Sequence, residues 1–429
     1  MISARLILFA LVAGTALVSR ASDLDAPLPD PLGLEEALRL AGTGVPALIA
    51  ADAGREAAEA DYLAADGLDD TRIDFHGSLR AVEPSYKSDN DDHNDSRARL
   101  LLSKRLYDFG YGEALRSAAD KGRQASEFEL LEARQANVLA VMRAFFDVIL
   151  SDLEYARDNE AMSVAFIAMD KARDENELGR LSDVELMQLE SVYEQTRSQR
   201  LISEQSQRLT RSRLAIVMGR PKDLVSEVRM PDIQLSEAAE EDFNTYWERV
   251  ESAHPRLRAL GMRLESAMKQ LASARISDRP VLSAELEAGA YNRSSATTHP
   301  VGGGLLLEVP LYTGSRKDAA VMRAQADVTS AEAALLEARL QLRQDALESW
   351  LERDRLRSDI RTAGVEGDYR ELYLDRSRAL YDLEVRTDLG DAMTRISEVR
   401  VKHARALFDW AINEAGIKAM TGSLLEDEK

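Results

Sequence analysis

The chain has 429 residues and a formal net charge of −20, and 45% of its residues are hydrophobic, 30% charged and 6% aromatic. This negative charge argues against a nucleic-acid partner, and the hydrophobic share argues against a disordered chain. The sequence contains no cysteine, which excludes disulfides, thiolate metal ligands, cysteine nucleophiles and a lipid anchor on cysteine.

The N-terminus has the pattern of an export signal. Arg5 precedes an apolar run over residues 6–18, and Ser19 and Ala21 occupy the small-residue positions before a cleavage site. The run is shorter than the about 20 residues that a membrane-spanning helix needs. We therefore predict a signal peptide over residues 1–21, with an uncleaved anchor as the alternative.

Two helices and two strands are predicted next. A short helix comes first, and an Ala-rich amphipathic run over 47–65 follows Pro46. Apolar and polar residues alternate over about 71–82 and 96–107, which predicts two strands joined by a long polar loop. The loop sequence DNDDHND is similar to a calcium loop but lacks its glycine and its distant glutamate, so we favour a solvated loop.

The following segment predicts one very long helix over about residues 110–178. From Glu113 to Leu178 it has no proline and a single glycine, and its apolar residues recur at spacings of three and four. At 1.5 Å per residue, such a helix spans about 100 Å. A turn at ELGRLSD (177–183) and a return helix over about 182–218 follow it.

The chain then repeats the same series of elements. The phrase LLLSKRLYDFGYGEA (100–114) is matched 205 residues later by LLLEVPLYTGSRKDA (305–319), and each phrase is a strand that runs into a long helix. We therefore predict an internal duplication. The predicted segments of the second half are the linker 220–243, a helix over 256–275, strands over about 281–292 and 300–311, a long helix over about 314–383, and a return helix over about 387–420. The predicted domains are the repeats 22–219 and 244–422 and a tail over 423–429.

Charged side chains share one face of the predicted strands, opposite the apolar residues. They are Asp74, Arg80, Arg97, Arg99, Arg105, Glu285 and Glu287. A half-buried sheet of a soluble protein is one interpretation, and membrane strands with lipid on one face and a polar lumen on the other are the second. Four strands cannot close a barrel and open edges are not tolerated in lipid. The second interpretation therefore requires several copies, of which two would supply eight strands and three would supply twelve.

The sequence shows no motif of an enzyme. The five histidines are scattered, without a metal-ligand spacing or a catalytic triad. The segment VGGG (301–304) lacks the Lys-Ser/Thr of a phosphate loop. We therefore predict a protein that is not an enzyme and that has no cofactor or metal.

The order of these motifs resembles the TolC family of outer-membrane efflux and secretion channels. The matching motifs are GLEEALRLA, the pairs Val45-Pro46 and His254-Pro255, the strand ends LYDFG (106–110) and VPLYTGS (309–315), the turn from Gly179 to Ser182, and the helix end from Leu214 to Gly219. The resemblance implies a mainly helical fold with membrane β-structure. In this fold a trimer combines a long α-helical coiled-coil barrel with a 12-stranded β-barrel, to which each chain contributes four strands.

The resemblance also implies a function. It implies a passive exit duct in the outer membrane, with a tunnel that projects into the periplasm, for a tripartite efflux or type I secretion system. The implied partners are further copies of the chain, outer-membrane lipid, a periplasmic membrane-fusion adaptor, and an inner-membrane transporter of the RND, ABC or MFS type. Small molecules and secreted proteins both stay open as substrates. A periplasmic coiled-coil scaffold or adaptor without a pore is the alternative.

Residues near the two hairpin turns are candidates for function. Acids crowd the starts of the return helices, where they either form a cation-favouring ring or interact with the helix dipole. By the resemblance, Tyr381 and Arg386 would hold a closed gate through hydrogen bonds to an acid of the neighbouring hairpin, either Asp183 or Glu185. The gate candidates are Asp183, Glu185, Tyr381, Arg386, Asp388 and Asp391. The candidates for adaptor docking are Gly179, Arg180, Leu181, Ser182, Glu384 and Thr387, and Glu384 stands where the family usually has glycine.

Overall fold

In a computed structural model, the structure is described for six segments of the chain. They are residues 28–42, 44–83, 92–235, 241–292, 299–383 and 389–425. The predicted signal peptide and the centre of the second hairpin turn lie outside the described residues. Within these segments, the protein is mainly helical with one small sheet.

Helices and strands follow one another in an order that occurs twice. The first half contains α1 (Leu34–Leu40), α2 (Pro46–Asp66), β1 (Arg72–Ser78), β2 (Arg97–Tyr107), α3 (Tyr111–Glu177) and α4 (Asp183–Val217). The second half contains α5 (Phe243–Ala253), α6 (Pro255–Arg275), β3 (Val281–Tyr291), β4 (Val301–Glu308), α7 (Arg316–Asp382) and α8 (Leu389–Met420). The predicted internal duplication is therefore confirmed. The long helices α3 and α7 each have 67 residues, so each is about 100 Å long.

The repeated phrase marks the junction where a strand passes into a long helix. Phe109 has a φ of 57°, and Gly314, which stands 205 residues later, has a φ of 64°. A residue with left-handed backbone conformation is thus present at the junction in both halves. Gly314 adopts this conformation without steric cost, whereas the Cβ of Phe109 adds such a cost. At the first junction the carboxylate of Asp108 accepts hydrogen bonds from the backbone N–H of Gly110 at 3.1 Å and of Gly112 at 2.6 Å. These bonds satisfy amides that the start of α3 would otherwise leave unpaired.

The helices of the two halves pack side by side in one layer, with α6 and α8 between the long helices α3 and α7. In the half next to the sheet, neighbours follow the order α2, α3, α6 and α7, and in the other half they follow the order α4, α3, α8 and α7. Within the described chain, α2 and α4 therefore form one edge of the layer, and α7 forms the other. No helix in the described ranges is both long and apolar enough to cross a bilayer.

The main core lies midway along the long helices, where the segment after α4 crosses them. Phe145 and Phe146 of α3 and Phe408 of α8 are almost fully buried there. The rings of Phe146 and Phe408 stack with their centroids 4.5 Å apart. Leu32 forms a parallel bridge with Val228 of the crossing segment. Because burying a side chain of this size contributes about 1.5–3 kcal/mol, this core joins the two halves firmly.

The four strands form one antiparallel sheet in the order β1-β2-β3-β4. The register pairs Arg72 with Ser103, Ser103 with Glu285, and Glu285 with Gly304. Paired residues point to the same face, and successive residues alternate between faces. β1 and β4 are the edge strands, and neither has a strand on its outer side in the described part of the chain.

Candidate channel wall and hairpin turns

One face of the sheet carries the charged side chains that the sequence singles out as lumen residues. By the register, six of the seven predicted lumen residues lie on this face: Asp74, Arg97, Arg99, Arg105, Glu285 and Glu287. Arg80 follows just beyond β1, and its guanidinium lies 3.6 Å from the carboxylate of Asp95, which also pairs with Arg97 at 3.1 Å. The structure therefore brings the seven residues together, and their role in a lumen stays a prediction. We call this surface the polar face.

One ion pair on the polar face joins two strands. Arg99 of β2 lies 3.7 Å from the carboxylate of Glu287 on β3, and Glu287 also accepts a hydrogen bond from the hydroxyl of Tyr291 at 2.9 Å. The ring of Tyr291 covers Gly289, where an added Cβ would lie only 2.6 Å from the ring. Exposed pairs such as these stabilise a fold little, but they decide which charges a solute on this face would meet.

The opposite face of the sheet, which we call the apolar face, is exposed in the single chain. Phe75 of β1 is 71% exposed and Leu305 of β4 is 70% exposed, and Leu286 between them is also exposed. Among the residues of the four strands, Lys104 is the only charged residue on this face, and it lies close to the end of β2. An apolar surface of this extent is normally covered by lipid or by another molecule.

Aromatic side chains gather where the strands end. Tyr107 and Phe109 are exposed and pack edge to face, with their ring centroids 4.7 Å apart. Tyr312, just after β4, is almost fully exposed. Tyrosine rings, which are amphipathic, are enriched at the interface between a bilayer and water.

The first hairpin turn is closed by its own polar groups. Gly179 has a φ of 69°, and the backbone N–H of Arg180 donates to the carbonyl oxygen of Glu175 at 2.8 Å, which ends α3. α4 begins with a capping box. The hydroxyl of Ser182 accepts from the N–H of Glu185 at 3.3 Å, and the carboxylate of Glu185 accepts from the N–H of Ser182 at 3.1 Å.

Both acids of this turn are engaged within the chain. Hydrogen bonds from the hydroxyl and the backbone of Ser182 hold the pKa of Glu185 below its ordinary value. The carboxylate of Asp183 accepts a hydrogen bond from the side-chain amide of Asn176 at 2.9 Å. These contacts are the ones expected of acids at a helix start. A gate contact to another hairpin stays a prediction for both residues.

Only the flanks of the second hairpin turn belong to the described residues. Tyr381 is exposed at the end of α7 and, within the described chain, makes no hydrogen bond to Asp183 or Glu185. Asp391, in the first turn of α8, lies 3.5 Å from Arg395. The candidates that lie outside the described residues are Glu384, Arg386, Thr387 and Asp388.

Apolar side chains are exposed along both edges of the helical layer. On α7, Leu336 is 57% exposed and Leu340 is 63% exposed, whereas Leu342 is buried. The spacing of four places Leu336 and Leu340 on one stripe of the helix. On the other edge, α4 exposes Ile202 and Leu209. Each edge therefore presents apolar surface that no helix of the described chain covers.

Sequence reasoning missed the role of His254. Its side chain is buried, and its Nδ1 accepts a hydrogen bond from the backbone N–H of Arg256 at 3.1 Å. Burial, with a smaller contribution from the charge of Arg256, lowers the pKa of the imidazole to about 4. The neutral ring therefore caps α6. The sequence does contain a signal for this cap. His254 directly precedes Pro255, and proline is common at the first position of a helix, so the residue before it is expected to be the cap.

Comparison with known proteins agrees with this geometry. Residues 248–423 match the model of a family described as outer membrane efflux protein. No curated protein sequence matches the chain.

Solved structures of outer-membrane channels resemble the chain over most of its length. The CmeC outer membrane channel of Campylobacter jejuni has a TM-score of 0.77 at 14% identity, over 91% of this chain and 86% of that one. The outer membrane protein VceC of Vibrio cholerae has a TM-score of 0.70 at 17% identity, over 91% and 96%. The MtrE outer membrane channel of Neisseria gonorrhoeae has a TM-score of 0.68 at 18% identity, over 91% and 89%.

The second half of the chain thus matches the sequence pattern of the outer membrane efflux protein family, and the chain as a whole has the fold of TolC-like outer-membrane channels, which confirms the resemblance found in the sequence.

Proposed function

We propose that the chain is the outer-membrane exit duct of a tripartite efflux or type I secretion system. Three copies would close a 12-stranded β-barrel, and their helices would continue it as a tunnel about 100 Å long in the periplasm. One observation carries the proposal. The sheet has one apolar and one charged face, and its two free edges lie at the same sides as the free edges of the helical layer.

The difference between the two edges, and the direction of their strands, support a closed ring of copies. One edge consists of β1, α2 and α4, and the other of β4 and α7. Because the edges differ, copies would join head to tail, and such contacts form a ring when the rotation closes. β1 runs away from the helices and β4 runs toward them. A neighbour's β1 beside β4 would therefore continue the antiparallel pattern and satisfy the edge amides, which lipid does not tolerate unpaired.

The number of copies follows from the width of the lumen. Two chains supply eight strands, whose interior side chains fill the barrel, whereas three supply twelve and leave an open pore. The polar face, with arginine and glutamate side chains, would then line the pore. The apolar face would contact lipid, and the aromatic residues at the strand ends would lie at its boundary.

The end of the helices that is farthest from the sheet would contact the other proteins of the export system. Leu178, Val184 and Met187 expose apolar surface around the first hairpin turn. Such a patch on a solvated turn suits a protein partner, and a periplasmic membrane-fusion adaptor that links the duct to an inner-membrane transporter of the RND, ABC or MFS type fits this place. Transport through the duct would be passive, with neither catalysis nor a cofactor in this chain.

The test combines assembly and conduction. The full chain is expressed in a bacterium with two membranes, extracted from the outer-membrane fraction, weighed by light scattering, and added to planar lipid bilayers. We expect a trimer that conducts in discrete single-channel steps. A dissolved monomer that leaves the bilayer non-conducting would instead identify a periplasmic scaffold without a pore.

A further inference from the structure

A cavity of about 430 Å³ lies between α7 and α8, next to the segment that crosses the helices. Its apolar floor is formed by Leu153 of α3, Met230 of the crossing segment, Ala363 of α7, and Ile396 and Val399 of α8. Cavities of this size and lining are typical of small-molecule sites.

Two glycines of α7, Gly364 and Gly367, line the cavity. A Cβ placed on Gly364 would meet no atom within 4 Å, and one placed on Gly367 would come no nearer than 3.7 Å to Val399. Each glycine costs a helix interior about 1 kcal/mol relative to alanine. Neither glycine is needed to avoid a steric clash, so a larger side chain has room at either position.

The mouth of the cavity carries opposite charges on its two walls. Asp368 and Glu371 stand one turn apart on α7, and Arg400 and His403 stand one turn apart on α8. Residues at this spacing share a helix face. The two walls are therefore an acidic pair and a pair of nitrogen donors.

These four side chains form no ion pair with any residue in the described ranges. Elsewhere on the same two helices, Lys402 pairs with Glu366 at 2.7 Å, and Arg353 pairs with Glu414 at 2.8 Å. Ion pairs therefore join α7 and α8 at these positions, whereas the four side chains at the mouth of the cavity form none within the described ranges.

We propose that this cavity binds a small zwitterion with an apolar body, for which a dipeptide with apolar side chains is the model compound. Its ammonium group would lie against Asp368 and Glu371, its carboxylate against Arg400 and His403, and its side chains on the apolar floor. The apolar floor between walls of opposite charge suits an organic ligand. The proposal uses contacts within one chain only and does not depend on the proposed duct.

Calorimetric titration of the purified full chain with Leu-Leu tests the proposal. The same titration is run with N-acetyl-Leu-Leu, which lacks the ammonium group, and with Leu-Leu amide, which lacks the carboxylate. We expect saturable binding of Leu-Leu below about 10 mM, where a ligand with a dissociation constant near 1 mM saturates its site. Each blocked peptide should bind at least about ten-fold more weakly, because each loses a charge-assisted hydrogen bond.

Two substitutions at one position locate the binding. Gly364→Phe fills the cavity and should abolish binding, while Gly364→Ala leaves most of the volume and should retain it. Arg400→Gln provides an independent readout in a chain whose glycines are intact. It should weaken the binding of Leu-Leu about ten-fold and leave that of Leu-Leu amide unchanged.

The proposal is overturned if Leu-Leu does not bind saturably, or if the three peptides bind equally well. It is also overturned if Leu-Leu binds a folded Gly364→Phe variant as it binds the parent chain. If circular dichroism shows that Gly364→Phe is unfolded, the Arg400→Gln titrations decide, and an equal loss for both peptides counts against the proposal.

Discussion

His254 shows how one buried side chain can tie the stability of this protein to pH. The residue combines three properties: it is buried, it accepts the first amide hydrogen bond of α6 through Nδ1, and its pKa lies at about 4. A protonated ring could not accept that hydrogen bond. The corresponding position before α2 is Val45, which offers no such cap.

We predict that acid destabilises the fold through His254. In the unfolded chain the imidazole takes up a proton as the pH falls through about 6.5, but in the folded chain it does so only near 4. The stability that depends on the neutral ring is therefore present above pH 6.5 and is lost as the pH falls toward 4, by at most about 3 kcal/mol.

Urea unfolding at about pH 7 and about pH 4.5 measures this loss. His254→Asn is the control, because asparagine caps a helix and does not titrate in this range. The variant should lose less stability on acidification than the parent chain. Equal losses in the two proteins would show that other groups are responsible.

A second prediction at this scale concerns the hairpin turns. By the family resemblance, Arg386 would hold a closed gate with an acid of a neighbouring hairpin. We therefore expect Arg386→Ala to raise the single-channel conductance in planar bilayers, because a charge-assisted bond across the constriction is lost. Arg180→Ala, at the first turn, is the comparison. Equal conductance of Arg386→Ala and the parent channel would contradict the gate assignment.

At the scale of elements, α3 holds the molecule together because both of its sides within the layer are covered. α2 and α4 cover one side along its length, and α6 and α8 cover the other. Polar contacts also join α3 to α8 beyond the aromatic core, including an ion pair between Glu154 and Arg405 at 2.6 Å. Close to the second turn, a Cβ on Gly390 would lie 2.7 Å from Val164, so the backbone of α8 approaches α3 closely there.

We predict that the stacked rings of Phe146 and Phe408 carry much of the packing between the two halves. Phe408→Ala should lower the free energy of unfolding by about 3–5 kcal/mol, because it removes a buried ring and leaves a cavity. Phe166→Ala, on the half-exposed part of α3, should cost about 1 kcal/mol or less. Urea unfolding of both variants checks the difference, and similar losses would place the important packing elsewhere.

At the scale of the whole molecule, the single chain leaves its interaction surfaces uncovered. The apolar face of the sheet is open, and apolar stripes follow α4 and α7. The two stripes lie at the outer sides of one continuous layer, so a neighbouring copy on each side would cover them. Lipid would then cover the apolar face.

We predict that the stripe on α7 is required for assembly. The double substitution Leu336→Asp and Leu340→Asp introduces two charges where we expect a neighbouring chain, and burying unpaired charges is costly. The proposed trimer should dissociate into smaller species, as measured by light scattering after gel filtration. Glu337→Gln, which alters the exposed residue between them, should leave the trimer intact. A trimer that survives the double substitution would place the interface on another side of α7.

Much of the fold could be predicted from the sequence. The long helices could be predicted because segments of nearly 70 residues contain almost no proline or glycine. The strands could be predicted from their alternation, although β4 ends at Glu308 and not near residue 311. Pro310 explains the early end, since proline cannot donate a hydrogen bond to a sheet.

The candidate site could be predicted less fully. The shared face of the charged strand residues followed from alternation alone, because side chains in a strand have a period of two. The pairing of Arg99 with Glu287, and the ring of Tyr291 over Gly289, depend on the register between strands that are distant in sequence. The cap at His254 depends on the burial of its side chain, which no local sequence pattern indicated.

The sequence by itself therefore determined the elements, their duplication and the two-faced strands, because backbone propensity and periodicity are local properties. Only the tertiary structure decided which helices form the edges, which charges meet, and that a cavity stays open between α7 and α8. Those features depend on how residues far apart in the chain are placed against one another, and on where glycine leaves space unfilled.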